Sequence, residues 1–269
     1  MTPSSHFEQY PSAPLRFVTF EVQHSRVPGF ATEEGHAAIF ERLRDHFPVA
    51  DTQQRVQVAV TPDGLASPAS STTELVMVNR DRTRSVTASP TAFGVQSSTF
   101  TDWPELRSVI EIAIRAIGES GITAVRRVGL RYIDEIRIEG VSGPDQWHQY
   151  IQDFLLAPQA LAEGHRVEAQ DGILGVRIDE DVLATIRFGA HSGYAVDPNG
   201  RLRLPPIEDP GPYFLLDLDC SWQEDNGEMR AFDPDDLLNL SDALNAPAHY
   251  LFEKAITEDA REAFRRIPS

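Results

Sequence analysis

The chain reads as an α+β protein of two tandem β-α-β-β-β-α units, residues 1–122 and 123–269, whose mostly antiparallel sheets are backed by helices and can form one continuous domain. Three observations carry this expectation. Short segments of alternating apolar and polar residues recur at hairpin-like spacing. Amphipathic helices with capping residues separate and close the groups of strands. The order of elements in the second half repeats that of the first, although residue identities do not.

Leu15 to Gln23 alternates as a strand, and Thr32 caps a helix whose Phe40, Leu43 and Phe47 form an apolar stripe. Arg55 to Val60, Glu74 to Val78 and Arg84 to Ala88 read as short strands, with Thr61 to Thr73 as a long connection rich in Ser, Pro and Gly. Asp102 and Glu105 make a capping-box-like start, with Pro104 in the first turn, for a helix that turns Leu106, Ile110, Ala113 and Ile117 inward. The second half opens with a strand over Arg126 to Glu139, then a helix from Ser142-Gly143-Pro144 with Trp147, Ile151 and Phe154 inward. Strands at Gly172 to Ile178 and Val182 to Phe188 flank a tight Asp179-Glu180-Asp181 turn, and Tyr213 to Trp222 is the last strand. Before it, Val196 to Pro212 holds five prolines with Arg201 and Arg203, a composition suited to a lid or binding arm. Asp233-Pro234 opens an acidic helix, Pro247 is expected to restart it after Asn245, and Thr257 caps a short final helix.

The strand Arg126 to Glu139 separates two chemistries. Val128, Leu130, Tyr132, Asp134, Ile136 and Ile138 share one face, while Arg127, Gly129, Arg131, Ile133, Glu135, Arg137 and Glu139 share the other. Asp134 is the anomaly, a carboxylate among apolar neighbours that needs a partner or water. Gly129-Leu130-Arg131-Tyr132-Ile133-Asp134 resembles the Gly-Leu-Arg-Tyr-Ile-Asn strand of a sporadically distributed bacterial family of similar length whose members have no assigned activity. Ala13-Pro14-Leu15, Asp102-Trp103-Pro104-Glu105 and Phe252-x-x-x-Ile256-Thr257 extend the resemblance over most of the chain. It implies a bacterial origin and the extent of the domain, with Asp134 standing where the family usually has Asn.

Formal charge is −17, from 41 acidic and 24 basic residues. Thirteen of the acidic residues lie between Asp217 and Glu262, against Arg230, Lys254 and Arg261. Such a field repels phosphates, which opposes general nucleic-acid or anionic-membrane binding and permits a basic protein partner, with Asp235, Asp236 and Asp242 as its candidate contacts. Lys254 is the only lysine. One cysteine, Cys220, precludes an intrachain disulfide and a Cys-rich zinc site, and its place on the apolar face of its strand assigns it to the core. With no long apolar run and no leader-like start, the expected location is the cytoplasm.

Candidate chemistry is sparse. Asp217 and Asp219 share a strand face and are candidates for a hard cation or an acid and base pair; otherwise neither a metal nor a cofactor is expected. Eight scattered histidines lack zinc-ligand spacing, and His191-Ser192 reads as part of a turn. Arg80, Arg82 and Arg84, with Arg127 and Arg131, would form an anion site if the two sets converged in a cleft between the halves, with Tyr132 and Asp134 beside them. Paired across strands with acidic neighbours, the same arginines would have no such role. Two functions follow: a non-enzymatic interaction or regulatory protein meeting a basic partner, as in a defence or toxin-neutralising pair, or a binder or enzyme for a small anionic ligand.

Overall fold

The computed structural model describes residues 8–60, 66–162, 165, 167–208, 210–224 and 227–266, with the backbone alone at 55–60 and 66–71. Its strands are β1 (Leu15–His24), β2 (Val49–Val60), β3 (Ala66–Val78), β4 (Arg84–Ser89), β5 (Ala92–Ser97), β6 (Ala124–Ile136), β7 (Gln170–Arg177), β8 (Val182–Ser192), β9 (Pro212–Gln223) and β10 (Arg230–Ala231). They form one ten-stranded sheet in the order β2-β3-β4-β5-β1-β6-β9-β8-β7, with the short β10 beside β6. Every pairing is antiparallel. The two halves join at the β1–β6 pair, where Phe20 faces Leu130 and Val22 faces Val128.

Helices α1 (Glu33–Leu43), α2 (Trp103–Gly118), α3 (Asp153–Leu156), α4 (Pro234–Ala255) and α5 (Glu258–Arg265) complete the fold, the long ones packing on one face of the sheet. Each cap follows from sequence: Thr32 accepts from the Gly35 N–H, Asp102 from Glu105, Asp233 from Asp235 and Asp236, and Thr257 from Ala260. Two apolar cores result. The first joins Phe20 and Val22 of β1 and Leu130 of β6 to Ile110, Ile114 and Ile117 of α2 and Leu237 and Leu244 of α4. The second joins Phe214, Leu216 and Leu218 of β9 to Trp147, Leu156, Ile256 and Phe264. Helix α4 spans both, Leu251 touching each core. No helix among the described residues is long and apolar enough to cross a membrane.

Four expectations are corrected. Most of the predicted connection Thr61 to Thr73 is strand, since β3 begins at Ala66 and pairs with β2 as far as Val60; residues 61–65 lie outside the described residues. Ser and Thr tolerate a pleated ribbon, and their polarity disguised it as loop. The strand β5 lacked a counterpart in the sequence reading because only Pro90 and Thr91 separate it from β4, with Ser89 Oγ closing the turn onto Ala92. The helix expected after Pro144 breaks into 3₁₀ turns over Pro144–Gln149 and Ala157–Ala162 around the single turn of α3, leaving Phe154 63% exposed rather than inward. Pro247 does not restart a helix; it lies inside α4, where it lacks the N–H that would reach Ala243.

The connection after β8 contains no strand or helix over its described residues and crosses the sheet face opposite the helices. Leu202 packs there on Val76, Val78 and Phe17. The Arg203 N–H donates to the Arg82 carbonyl (2.6 Å), Ser98 Oγ to the Arg203 carbonyl (2.7 Å) and Arg16 Nη2 to the Pro205 carbonyl (2.8 Å). Phe214, fully buried against Trp147 at 5.7 Å, reports the second core. Phe214→Ala is expected to cost about 3–5 kcal/mol in urea unfolding, whereas Phe154→Ala, at an exposed site, should change stability by under about 0.5 kcal/mol.

Candidate binding cavity

Where the two cores meet, the helix layer does not close on the sheet. A cavity of about 450 Å³ lies there. Leu15 of β1, Tyr132 and Asp134 of β6 and Leu218 of β9 contribute its sheet side. Phe100, Trp103 and Pro104 contribute from the start of α2, and Asn245, Ala248, His249 and Phe252 project from one stripe of α4. The segment Glu8–Tyr10 completes the lining. The walls are braced by polar contacts: Tyr132 donates to Asn245 Oδ1 (2.7 Å), Trp103 Nε1 to Asp242 Oδ1 (2.8 Å) and Tyr10 to Glu253 Oε1 (2.8 Å).

Asp134 differs from these groups. It lies opposite Leu15 on one side and Leu216 on the other, is 4% exposed, and its carboxyl has no hydrogen-bond partner among the described residues. Burial first, and then the charge of Asp217, pushes its pKa up to about 8, so the group is predominantly a neutral acid at physiological pH. Burial likewise pushes the Tyr132 hydroxyl above its ordinary range. Both are therefore hydrogen-bonding rather than charged groups, and the Tyr132 hydroxyl already donates its hydrogen bond to Asn245.

The arginines lie elsewhere. Arg127 and Arg131 point to the face opposite the helices, where Arg131 grips Asp217 through two bonds of 2.6 Å and Arg127 grips Asp219 at 2.9 and 3.0 Å. Arg187 adds a contact to Asp217 at 3.7 Å and Glu21 one to Arg127 at 3.7 Å. Gly129 makes this possible. A Cβ there would stand 2.5 Å from Arg127 Nη1, so the guanidinium lies flat over the glycine. Arg84 turns toward α2 and pairs with Glu105, Arg82 at φ 57° bonds the Arg201 carbonyl, and Arg80 is exposed at the same turn. The two arginine sets do not converge, and of the seven residues expected in an anion cleft only Tyr132 and Asp134 line the cavity.

The remaining candidates have structural partners. Asp217 and Asp219 are occupied by guanidinium groups, and among the described residues no three His, Cys, Asp or Glu side chains come together as a metal site. Asp235 pairs with Arg115, Asp236 with Arg230, and Asp242 with Arg107, which ties α4 to α2 and β10. Cys220 lies in the core with its thiol pushed up to about 12 by burial and Asp219. His191-Ser192 is the end of β8 rather than a turn, with the His191 ring stacked on Tyr213 at 5.5 Å. Trp103, Asn245 and His249 were not singled out as site residues. The signal for them was the helix spacing of Asn245, Ala248, His249 and Phe252, which gives one stripe a mixed polar and aromatic character.

No family model matches the chain, and no curated protein is found to be similar to it.

Two outcomes follow from these environments. The folded chain holds the Asp134 proton to about pH 8, while an unfolded carboxyl releases it near 3.8, so the folded state binds more protons between those values and loses stability as pH rises through them. Asp134→Asn is neutral at every pH. Its melting temperature relative to the parent should therefore climb steadily from about pH 5 to about pH 8 in a thermal-denaturation series. Arg131→Met strips the bidentate partner from Asp217, which is 2% exposed, and is expected to lower unfolding free energy by about 2 kcal/mol, against roughly zero for Arg80→Ala.

Proposed function

We propose that the protein binds a small molecule in the cavity between the two cores, and that Asp134 is the group that recognises it. The single observation that carries this reading is the buried carboxyl of Asp134, without a partner among the described residues, on the wall of a cavity large enough for a compact ligand. A ligand that met Asp134 would relieve the cost of burying it.

The lining constrains the ligand's chemistry. Its carboxyl and imidazole groups are those of Glu8, Asp102, Asp134 and His249, and neither Lys nor Arg lies in the lining. Glu8 is already paired with Arg265, so an anionic ligand would find no free cation in the lining, and the favoured occupant has an apolar or aromatic body and a head that is an amine or a neutral hydrogen-bonding group. An ammonium head would draw Asp134 into its ionised form and pair with it. A second reading, a cytoplasmic regulatory protein that meets a basic partner, rests on the net charge of −17. It receives no added support from Asp235, Asp236 or Asp242, which serve the fold.

A thermal-shift screen tests the cavity with matched sets of aryl-alkyl amines, their neutral amides and their carboxylates. Amines or amides should raise the melting temperature where carboxylates do not, and Asp134→Leu should weaken the best amine at least about tenfold. Stabilisation by the carboxylates alone, or amine binding indifferent to Asp134→Leu, would refute the proposal.

A further inference from the structure

Strand β7 ends the sheet on one side, with β8 as its only neighbour among the described residues. Natural edge strands are ordinarily blunted by Lys, Pro or a covering element. The sequence of β7, Gln-Asp-Gly-Ile-Leu-Gly-Val-Arg, has no Lys or Pro, and Ile173 is 67% and Leu174 49% exposed. Ile178 and Leu183, just beyond the strand and on β8, are also exposed. The opposite edge contrasts with this one, since Asp51, Thr52, Gln53 and Gln54 on β2 are exposed and polar. One edge of the sheet therefore presents an apolar surface whose outward backbone groups pair with no strand among the described residues.

We infer that β7 pairs antiparallel with β7 of a second copy of this chain, about a twofold axis at Leu174, joining the two sheets into one. The strand is complementary to itself in that register. Asp171 falls opposite Arg177 of the second copy, Gly172 opposite Val176, Ile173 opposite Gly175, and Leu174 opposite Leu174. On the face opposite the helices each Ile173 lies over a glycine, and nothing stands within 4 Å of where a Gly175 Cβ would be, so the branched side chain has room. The ends of the same face carry two reciprocal ion pairs. Within its own chain Arg177 reaches only the Glu180 carbonyl, and Asp171 only the His191 ring at 3.1 Å, so the carboxylate and the guanidinium are not already joined to each other. A shift of the pairing by two residues along the strand would place Arg177 opposite Ala169 or Ile173 and lose both pairs. A shift by one would turn the second copy's helices to the other side of the sheet.

Sedimentation equilibrium over a wide concentration range tests this, with circular dichroism to confirm that each variant is folded. The parent should be dimeric at micromolar concentration. Arg177→Asp and Asp171→Arg should each raise the dissociation constant at least about tenfold by setting like charges opposite each other, and the double variant carrying both should return to the parent's value. Ile173→Lys should also dissociate the dimer. A parent that is monomeric at about 100 μM, a dimer insensitive to Ile173→Lys and Arg177→Asp, or a double variant without recovery would each overturn the inference.

Discussion

Strand β6 is the constraint on which the rest of the structure depends. It is hydrogen-bonded to β1 along one side and to β9 along the other, so it is the seam that makes one sheet out of two halves, and neither of its faces can be left uncommitted. Val128, Leu130 and Tyr132 supply the first core, and Ile136, four residues beyond Tyr132 on the same face, supplies the second. Asp134 lies between them. A hydrophobic residue there would fuse the two cores across the seam. The carboxyl instead leaves a polar gap that α2 and α4 bridge without filling, and the cavity is the consequence.

The other face of the same strand solves a different problem. Arginine and aspartate side chains alternate across β6 and β9, and the diagonal pairings Arg127 to Asp219 and Arg131 to Asp217 cancel the charges before any ligand could use them. Asp217 is almost fully buried although it belongs to the face away from the helices, so its ion pair with Arg131 works in partly desolvated surroundings, where losing either partner is costly. The charge of Asp217 reaches through the sheet and helps to hold the Asp134 proton. The two faces are thus coupled electrostatically: the carboxylate that is paired on one side helps keep the carboxyl neutral on the other.

Much of this was legible in the sequence. The period-two alternation of residues 126–139 placed Asp134 among apolar neighbours, and the caps at Thr32, Asp102, Asp233 and Thr257 lie where their side chains required. The mistakes have physical sources. Ser- and Thr-rich residues of β3 read as loop because their polarity hides a strand whose stability comes from pairing with β2. Pro247 read as a helix boundary, yet a single lost hydrogen bond is tolerated in a helix packed along both cores. The arginines read as a converging site because spacing along a strand does not reveal which acidic residue lies diagonally opposite on a partner ninety residues away. For the same reason the cavity was only half visible, since Asp134 was conspicuous while its neighbours on α2 and α4 come from distant parts of the chain.

Asp134 also separates structure from function. A neutral amide would meet the geometric demands of the position and avoid the cost of ionisation, so nothing in the fold itself calls for a carboxyl there. Stability argues against one above neutral pH, where part of the population must either ionise in an apolar wall or resist doing so. A residue that works against the stability of its own site is expected where selection acts on something other than stability. An acid whose pKa is near 8 changes state in response to what sits beside it: a cationic or donor head favours the carboxylate, and an acceptor head favours the acid. An asparagine could bond to either head but could not change charge to match it, and that capacity is what the carboxyl adds to the cavity.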